Sequence, residues 1–392
     1  MAVLLGSKPP LIFKEYTLLA SQTWTAPATG TILVTCTGGG GQGGLCITSD
    51  ASNGSRKARG GGAGGFSQKT IPVKAGDTFT VVVGAGGRNA DTAPNSVVDG
   101  TTGGESTFDD ATAISSIALD SNGGVGGAAA VVLDPATLAG GAGGTATGGD
   151  LNVAGGAGGA IVISNQSTKD VATGGGSTSV YGLPFAGGAA TIGGNAEASL
   201  ATGGAGAFGA GGSFVQNGSN DRYQGGTQGG GVTRGGAAFV TADMGNVGGD
   251  GSAQGVGTSY NNSGLSLNNS LGSAWPIGTN TSIDGPKSTN SSANNGGNSA
   301  RLNQGSGSSG QQATINAANE YVLNGTGAGA FGGGGASVCR RASNTTNNAT
   351  QKSNNGKGGV GGGGSGGITI QADVSLDWEG GGQGVVIIAY IG

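Results

Sequence analysis

The sequence predicts a mainly β and irregular fold, in which a small β-sandwich base made by N- and C-terminal strands carries a glycine-rich bundle of polyglycine II-type helices with long loops. Three observations lead to it. Glycine is 93 of 392 residues and aromatic residues are only 5%, too little side-chain surface for a large conventional core. Apolar, β-branched segments stand close to both ends of the chain. Between them, glycine tracts recur.

The base opens the chain. Thr31-Ile32-Leu33-Val34-Thr35-Cys36 is β-branched and bounded by Gly30 and the run Gly38 to Gly41, which marks a strand. Ser67 to Val73 and Asp77 to Val83 are the next candidates. Lys74-Ala75-Gly76 between them has the length of a hairpin connection, with glycine where positive φ is cheap. Phe79, Val81 and Val83 alternate with Thr78 and Thr80, giving one buried and one wetter face. Val385 to Ile391 is apolar on both faces and is expected to be central in its sheet. Such a strand must pair with segments roughly three hundred residues earlier, so the two ends close one base. The expected division is a base of 21–110 and 355–392, a glycine-rich bundle of 111–354, and an attachment peptide of 1–20.

Glycine tracts stand at Gly60 to Gly65, Gly84 to Gly87, Gly123 to Gly127, Gly140 to Gly149, Gly155 to Gly159, Gly203 to Gly212, Gly225 to Gly236, Gly325 to Gly335 and Gly358 to Gly367. Gly204 to Gly212 nearly repeats Thr326 to Gly334, including an Ala-Phe insertion, which argues for a structural unit. Glycine in the polyproline II conformation makes a helix of about three residues per turn and ~3.1 Å rise with no internal hydrogen bonds. Without Cβ, neighbouring helices can approach until backbone N–H and C=O groups pair between them, which offsets the entropy that glycine loses on folding. Collagen is set aside: no Gly-X-Y period holds through any tract, and Pro is only 9. So much glycine also suits a disordered chain, but a net charge of -4, 10% charged residues and the alternation with β-like segments argue for order. The longest loop, 252–324, is rich in Asn, Ser and Gly; its composition fits a linker and its size fits a functional loop.

Charge and residue types narrow the chemistry. With 17 Lys and Arg against 21 Asp and Glu, the chain lacks the basic surplus of a nucleic-acid binder. Histidine is absent, which removes the usual general base, the Ser-His-Asp and Cys-His nucleophiles and most zinc sites. Asp109-Asp110 and the pair Asp373 and Asp377 match neither a calcium-loop pattern nor a glycosidase arrangement and read as solvated loop acids. Gly356-Lys357 is followed by Gly358 and lacks the Ser or Thr of a phosphate-binding loop. Cys36, Cys46 and Cys339 form no disulfide framework and read as small apolar residues. The expectation is a non-enzymatic protein with no cofactor and no bound metal. The first thirteen residues read as neither a signal peptide nor a membrane span, so a soluble product assembled in the cytosol is the simplest expectation.

The run Gln22 to Gly30, the following strand, then Gly61-Gly62-Ala63-Gly64-Gly65-Phe66 leading through Thr70-Ile71-Pro72-Val73 to Val81-Val82-Val83-Gly84-Ala85-Gly86-Gly87, resembles the glycine-rich domain of phage tail-fibre proteins. Gly381-Gly382-Gln383-Gly384-Val385-Val386-Ile387-Ile388 is similar to that family's closing strand. The resemblance covers 20–110 and 355–392 by motif and the middle by composition. It implies a tail-fibre or tip adhesin of a bacteriophage virion, with other tail or fibre proteins as partners and a bacterial surface glycan or outer-membrane protein as receptor. The runner-up is a structural virion component, such as a head fibre, capsid decoration or fibre spacer. Many fibres are trimers and a homotrimer is allowed, although no coiled-coil heptad marks one.

The resemblance assigns no individual binding residue, so candidates come from chemistry. Arg56, Lys57 and Arg59 form one basic cluster and Arg340 and Arg341 another; each is either a solvated loop or a contact for phosphates and acidic sugars. Tyr223, Tyr260 and Trp275 are either anchors for a sugar or protein receptor or plugs beside the glycine lattice.

Overall fold

A computed structural model describes the chain from residue 14 to 391, apart from 49–54, 90–95, 112–116, 132–135, 165–168, 179–183, 193–197, 207–209, 217–222, 227–238, 241–313, 316–320, 323–332, 336–337, 342–357 and 371–379. Among the described residues every regular element is a strand.

The chain shuttles between two ends. Strands β1 (Glu15–Leu18), β2 (Gln22–Thr25) and β3 (Gly30–Thr37) begin the base. A tract over 38–44 leads outward to β4 (Leu45–Thr48) and β5 (Arg56–Ala58), and 59–65 returns to β6 (Phe66–Val73) and β7 (Thr78–Val82). Two further excursions follow, through β8 (Val97–Val98) back to β9 (Ser106–Asp110) and β10 (Ala118–Ser121), then through β11 (Ala129–Val131) and β12 (Ala136–Leu138) back to β13 (Ala146–Thr147) and β14 (Leu151–Val153). The tract at 154–160 leads out again to β15 (Ile161–Ile163) and β16 (Lys169–Ala172). Distal strands β17 (Ala190–Ile192), β18 (Ala198–Ala201), β19 (Phe214–Gln216), β20 (Tyr223–Gly226) and β21 (Phe239–Val240) come next. They are followed by the hairpin of β22 (Thr314–Ile315) with β23 (Tyr321–Val322), then β24 (Val338–Arg341) and β25 (Gly367–Ile370), before β26 (Val385–Tyr390) returns to the base.

Two five-stranded sheets make the base, in the orders β1-β26-β3-β6-β14 and β13-β10-β9-β7-β2. Alternating residues of their facing sides, among them Ile32, Val34, Ile71, Phe79, Val386 and Ile388, form the apolar core. Phe79 stacks on Phe108 at 4.6 Å between ring centroids, and Trp24 lies 5.8 Å from Phe79. As expected of a strand apolar on both faces, β26 lies inside its sheet, pairing β3 in the register Val386↔Cys36 and Ile388↔Val34 and pairing β1 on its other side. The chain ends therefore close one sheet.

The link Lys74-Ala75-Gly76 is not a hairpin. β6 is paired on both sides by β3 and β14 in one sheet, and β7 pairs β2 and β9 in the other, so the turn crosses between sheets. Gly76, at φ 93°, makes the turn, its N–H donates to the Ala26 carbonyl at 2.8 Å, and the Lys74 N–H donates to Asp77 Oδ2 at 2.7 Å. Nor is base separated from bundle along the chain: β10, β13 and β14 join the base sheets from within 111–354, while tracts 38–44 and 59–65 run through the centre of the bundle.

Between the ends, the backbone bonds repeat every third residue. In tract 38–44 the N–H groups of Gly38, Gly41 and Gly44 donate to Gly65, Gly62 and Arg59 at 2.8–3.0 Å. Those of Gly39 and Gln42 donate to Gly104 and Thr101, and that of Gly40 to Gly382. The carbonyls do likewise: Gly41 and Gly44 accept from Gly364 and Gly367, Gly39 and Gln42 from Gly124 and Gly127, and Gly40 from Gly87. One tract thus has six neighbouring segments, three reached by donors and three by acceptors. Tract 59–65 is surrounded in the same way by 38–44, 122–125, 141–144, 156, 176 and 361–364. Toward each neighbour the bonds of these tracts thus recur at every third residue. Burial carries the same period: over 121–127 buried, exposed and intermediate residues alternate in threes, and again over 139–145.

That period was present in the sequence after all. Asn122-Gly123-Gly124-Val125-Gly126-Gly127-Ala128, Ala139-Gly140-Gly141-Ala142-Gly143-Gly144-Thr145 and Ala154-Gly155-Gly156-Ala157-Gly158-Gly159-Ala160 each hold two Gly-Gly-X repeats, which corrects the expectation that no such period holds. They lie on the outside, where one residue per turn faces solvent, and the central tracts are almost pure glycine.

Beyond the lattice lie three distal sheets, β11-β5-β16-β18-β20, β12-β15-β17-β19-β21 and β24-β25-β4-β8. In the first two the later strands stack in parallel, one rung per repeat. A threonine clamps each of two such rungs to the tracts. Thr173 Oγ1 donates to the Gly159 carbonyl and accepts from the Gly60 N–H, and Thr202 Oγ1, one rung on, donates to Gly188 and accepts from Gly174. Thr202→Val keeps the shape but leaves a buried amide and carbonyl short of a partner, so a loss of about 1–3 kcal/mol is expected in chemical denaturation.

Candidate functional site

Most outward passes end in a connection at the distal end. These connections, 49–54 and 90–95 followed by 132–135, 165–168, 193–197 and 217–222, have flanking strands fixed by the distal sheets and tips outside the described residues. The site the sequence pointed to is therefore one end of the bundle, held on a scaffold of interchain-like backbone bonds rather than on one cleft.

The first basic cluster divides. Arg56 and Lys57, read from the sequence as solvated or glycan-facing, are 1% and 0% exposed, which corrects both readings. They lie in β5, between β11 and β16. Arg56 Nη1 and its backbone N–H both donate to Asp170 Oδ1 at 3.2 Å, and Lys57 Nζ donates to Ser55 Oγ at 2.5 Å. Burial pushes the Asp170 carboxyl up from the ordinary range, with the Arg56 guanidinium acting in the opposite sense. Asp170 is 114 residues away, so nothing in the local sequence marks Arg56 as paired. Arg59 is half-buried, and its guanidinium donates to the carbonyls of Ala128 at 3.0 Å and Ala139 at 2.8 Å, tying together the ends of two outer tracts.

The other candidates divide between distal strands and residues that are not described. Tyr223 stands in β20 opposite Ala198, and Arg340 and Arg341 in β24 opposite Thr369 and Ile370. All three are on distal strands, which puts them at the end that carries the connections. Tyr260 and Trp275 lie outside the described residues, as do residues 1–13 of the expected attachment peptide and Asp373 and Asp377. Glu15 to Leu18, also within that peptide, form β1 of the base.

Two of the thiols have structural surroundings. Cys36 lies in the base core, and Cys46 Sγ bonds the Lys57 carbonyl at 3.4 Å. Burial pushes the Cys46 thiol up to about 12 and the Cys36 thiol further. Thiolate at Cys46 is thereby far scarcer than in an ordinary cysteine at neutral pH. In a Cys339→Ser chain neither thiol should react with an aromatic disulfide reagent until denaturant is added, when both should.

These features define a class: an all-strand protein whose interior is a glycine backbone lattice between two sets of sheets. Residues 17–251 match the model of the glycine-rich domain family, and the chain belongs to that family. No curated protein matches the chain.

Proposed function

We propose that the chain is a non-enzymatic bacteriophage virion protein, a tail-fibre or tip adhesin that binds the host cell surface through the distal connections of its glycine-rich scaffold. One observation carries this reading: most outward passes lead to strands at the same end, while the base closes at the other. A lattice in which tracts bond to as many as six neighbours is stiff, so length and sequence can vary in the connections without disturbing it. The tracts act as polyglycine II-type rods, and their three-residue bond period supports this. Partners on this reading are other tail or fibre proteins at the base and a surface glycan or outer-membrane protein at the tip.

Purified full chain, fluorescently labelled, is expected to bind host bacteria saturably. Replacing 193–197 and 217–222 by Gly-Ser linkers, or deleting Tyr260 to Asn303, should abolish binding while thermal unfolding is unchanged. If all these variants bind as the parent does, the distal end is not the receptor face. The second reading, a structural virion component, is favoured by the burial of Arg56 and Lys57, which spends two candidate receptor contacts on internal cohesion. Immunogold labelling on the capsid rather than the tail tip would decide for it.

A further inference from the structure

The outer row of the lattice is hydrogen-bonded on its inner side and open on its outer side. In the tract 122–127, Asn122 and Val125 donate sideways to Thr145 and Ala142, and Gly124 and Gly127 donate inward to Gly39 and Gln42. Asn122 and Val125 accept from Gly65 and Gly62, and Gly124 and Gly127 from Gly103 and Gly100. That leaves the third class of residue. Among the described residues, neither the N–H nor the carbonyl of Gly123, Gly126 or, in the next tract, Gly143 bonds to another backbone group. This face repeats donors and acceptors every three residues, as the bonded faces of the central tracts do.

Such a face is the lattice counterpart of an exposed sheet edge, a template for another chain. What distinguishes it from the interior is a Cβ at one position of every turn, where tract 38–44 carries a single side chain, Gln42, and 60–65 a single one, Ala63. In tract 38–44, a Cβ added at Gly38, Gly39, Gly40 or Gly41 would lie against the carbonyl of Asn122, Ala85, Gly362 or Val125, so these positions of a surrounded tract must lack side chains. On the outer row the exposed position of each turn carries one: Asn122, Val125, Ala142 and Thr145, with Val125 44% exposed. Asn122 Nδ2 also donates to Thr145 Oγ1 at 3.0 Å, spanning the groove between two tracts where a further tract would settle.

We infer that these four side chains terminate the lattice, keeping a glycine tract of a second copy of this chain from docking on the open amides of Gly123, Gly126 and Gly143. The chain thus guards its outer face by Cβ atoms placed at a period of three, as edge strands are guarded by charge or proline.

The test is sedimentation velocity of the full chain over a range of concentrations. The variant Asn122→Gly/Val125→Gly/Ala142→Gly/Thr145→Gly is expected to self-associate, with a weight-average mass at least about twice that of the parent at the highest concentration. The companion Asn122→Ala/Val125→Ala/Thr145→Ala retains every Cβ and should match the parent. If the fourfold variant does not fold by circular dichroism, Val125→Gly/Ala142→Gly takes its place. A folded glycine variant with the parent's mass overturns the inference, and so does equal association of the alanine variant, which would trace the effect to side-chain bulk or polarity.

Discussion

Gly62→Ala is expected to cost about 3 kcal/mol or more, enough to unfold a marginal domain. The new Cβ would fall on the Ala142 carbonyl, and Gly62 is held on two further sides, its N–H donating to Val125 and its carbonyl accepting from Gly41. In an ordinary core an extra methyl is absorbed by a rotamer change. Here the atom struck is backbone, itself fixed by bonds to other tracts, so relief requires separating tracts and breaking several bonds together. Gly363→Ala, with its Cβ against the Gly61 carbonyl, should behave alike. Val125→Ala, on an exposed position of the same lattice, should change stability by less than about 0.5 kcal/mol. Chemical denaturation of the three variants measures the contrast. If Gly62→Ala and Val125→Ala were equally mild, the tracts would not be packed backbone to backbone.

The same contrast explains which parts of the fold were legible. The meeting of the two chain ends could be read because β26 is apolar on both faces, a demand that only an interior strand meets. That glycine tracts bond to one another through their backbones could be read because absence of Cβ lets neighbouring backbones approach. The neighbours of each tract could not. Bonding partners such as Gly41 and Gly364 are far apart in the chain, and glycine offers no side chain to encode the match. The Gly-Gly-X runs carried the missing signal, since the X positions mark which tracts face solvent. Each run is only two repeats long, and among uneven tracts it is easily passed over.

Local chemistry failed where two structures share one local code. A three-residue connection with glycine serves a hairpin or a crossing between stacked sheets equally well. The choice at Lys74-Ala75-Gly76 was made by β3 and β14, which occupy both sides of β6. Of the candidate site, Tyr223, Arg340 and Arg341 stand on distal strands, whereas Arg56 and Lys57 are buried. A basic pair flanked by Ser and Ala looks solvated unless its distant carboxylate is known.

That carboxylate is the basis of the other large expected effect. Asp170→Ala should destabilise the chain by about 3–5 kcal/mol, because it removes the acceptor shared by the Arg56 guanidinium and backbone N–H while both residues stay buried. Arg56→Met with Asp170→Leu, which removes both charges and keeps apolar volume, should cost less than Asp170→Ala alone. The pH dependence separates burial from pairing. Burial raises the Asp170 carboxyl in the folded chain, so the folded state holds this proton more tightly than the unfolded one. Its contribution is then fully present below the unfolded value and is lost as pH rises through the folded one. The deficit of Asp170→Asn relative to the parent should therefore widen as pH falls toward the ordinary carboxylate range, measured from denaturant midpoints. A deficit that narrows on acidification would mean that Arg56, rather than desolvation, sets the charge state of Asp170. The ion pair would then be an attractive clamp between β5 and β16, and not a buried cost carried by the surrounding sheets.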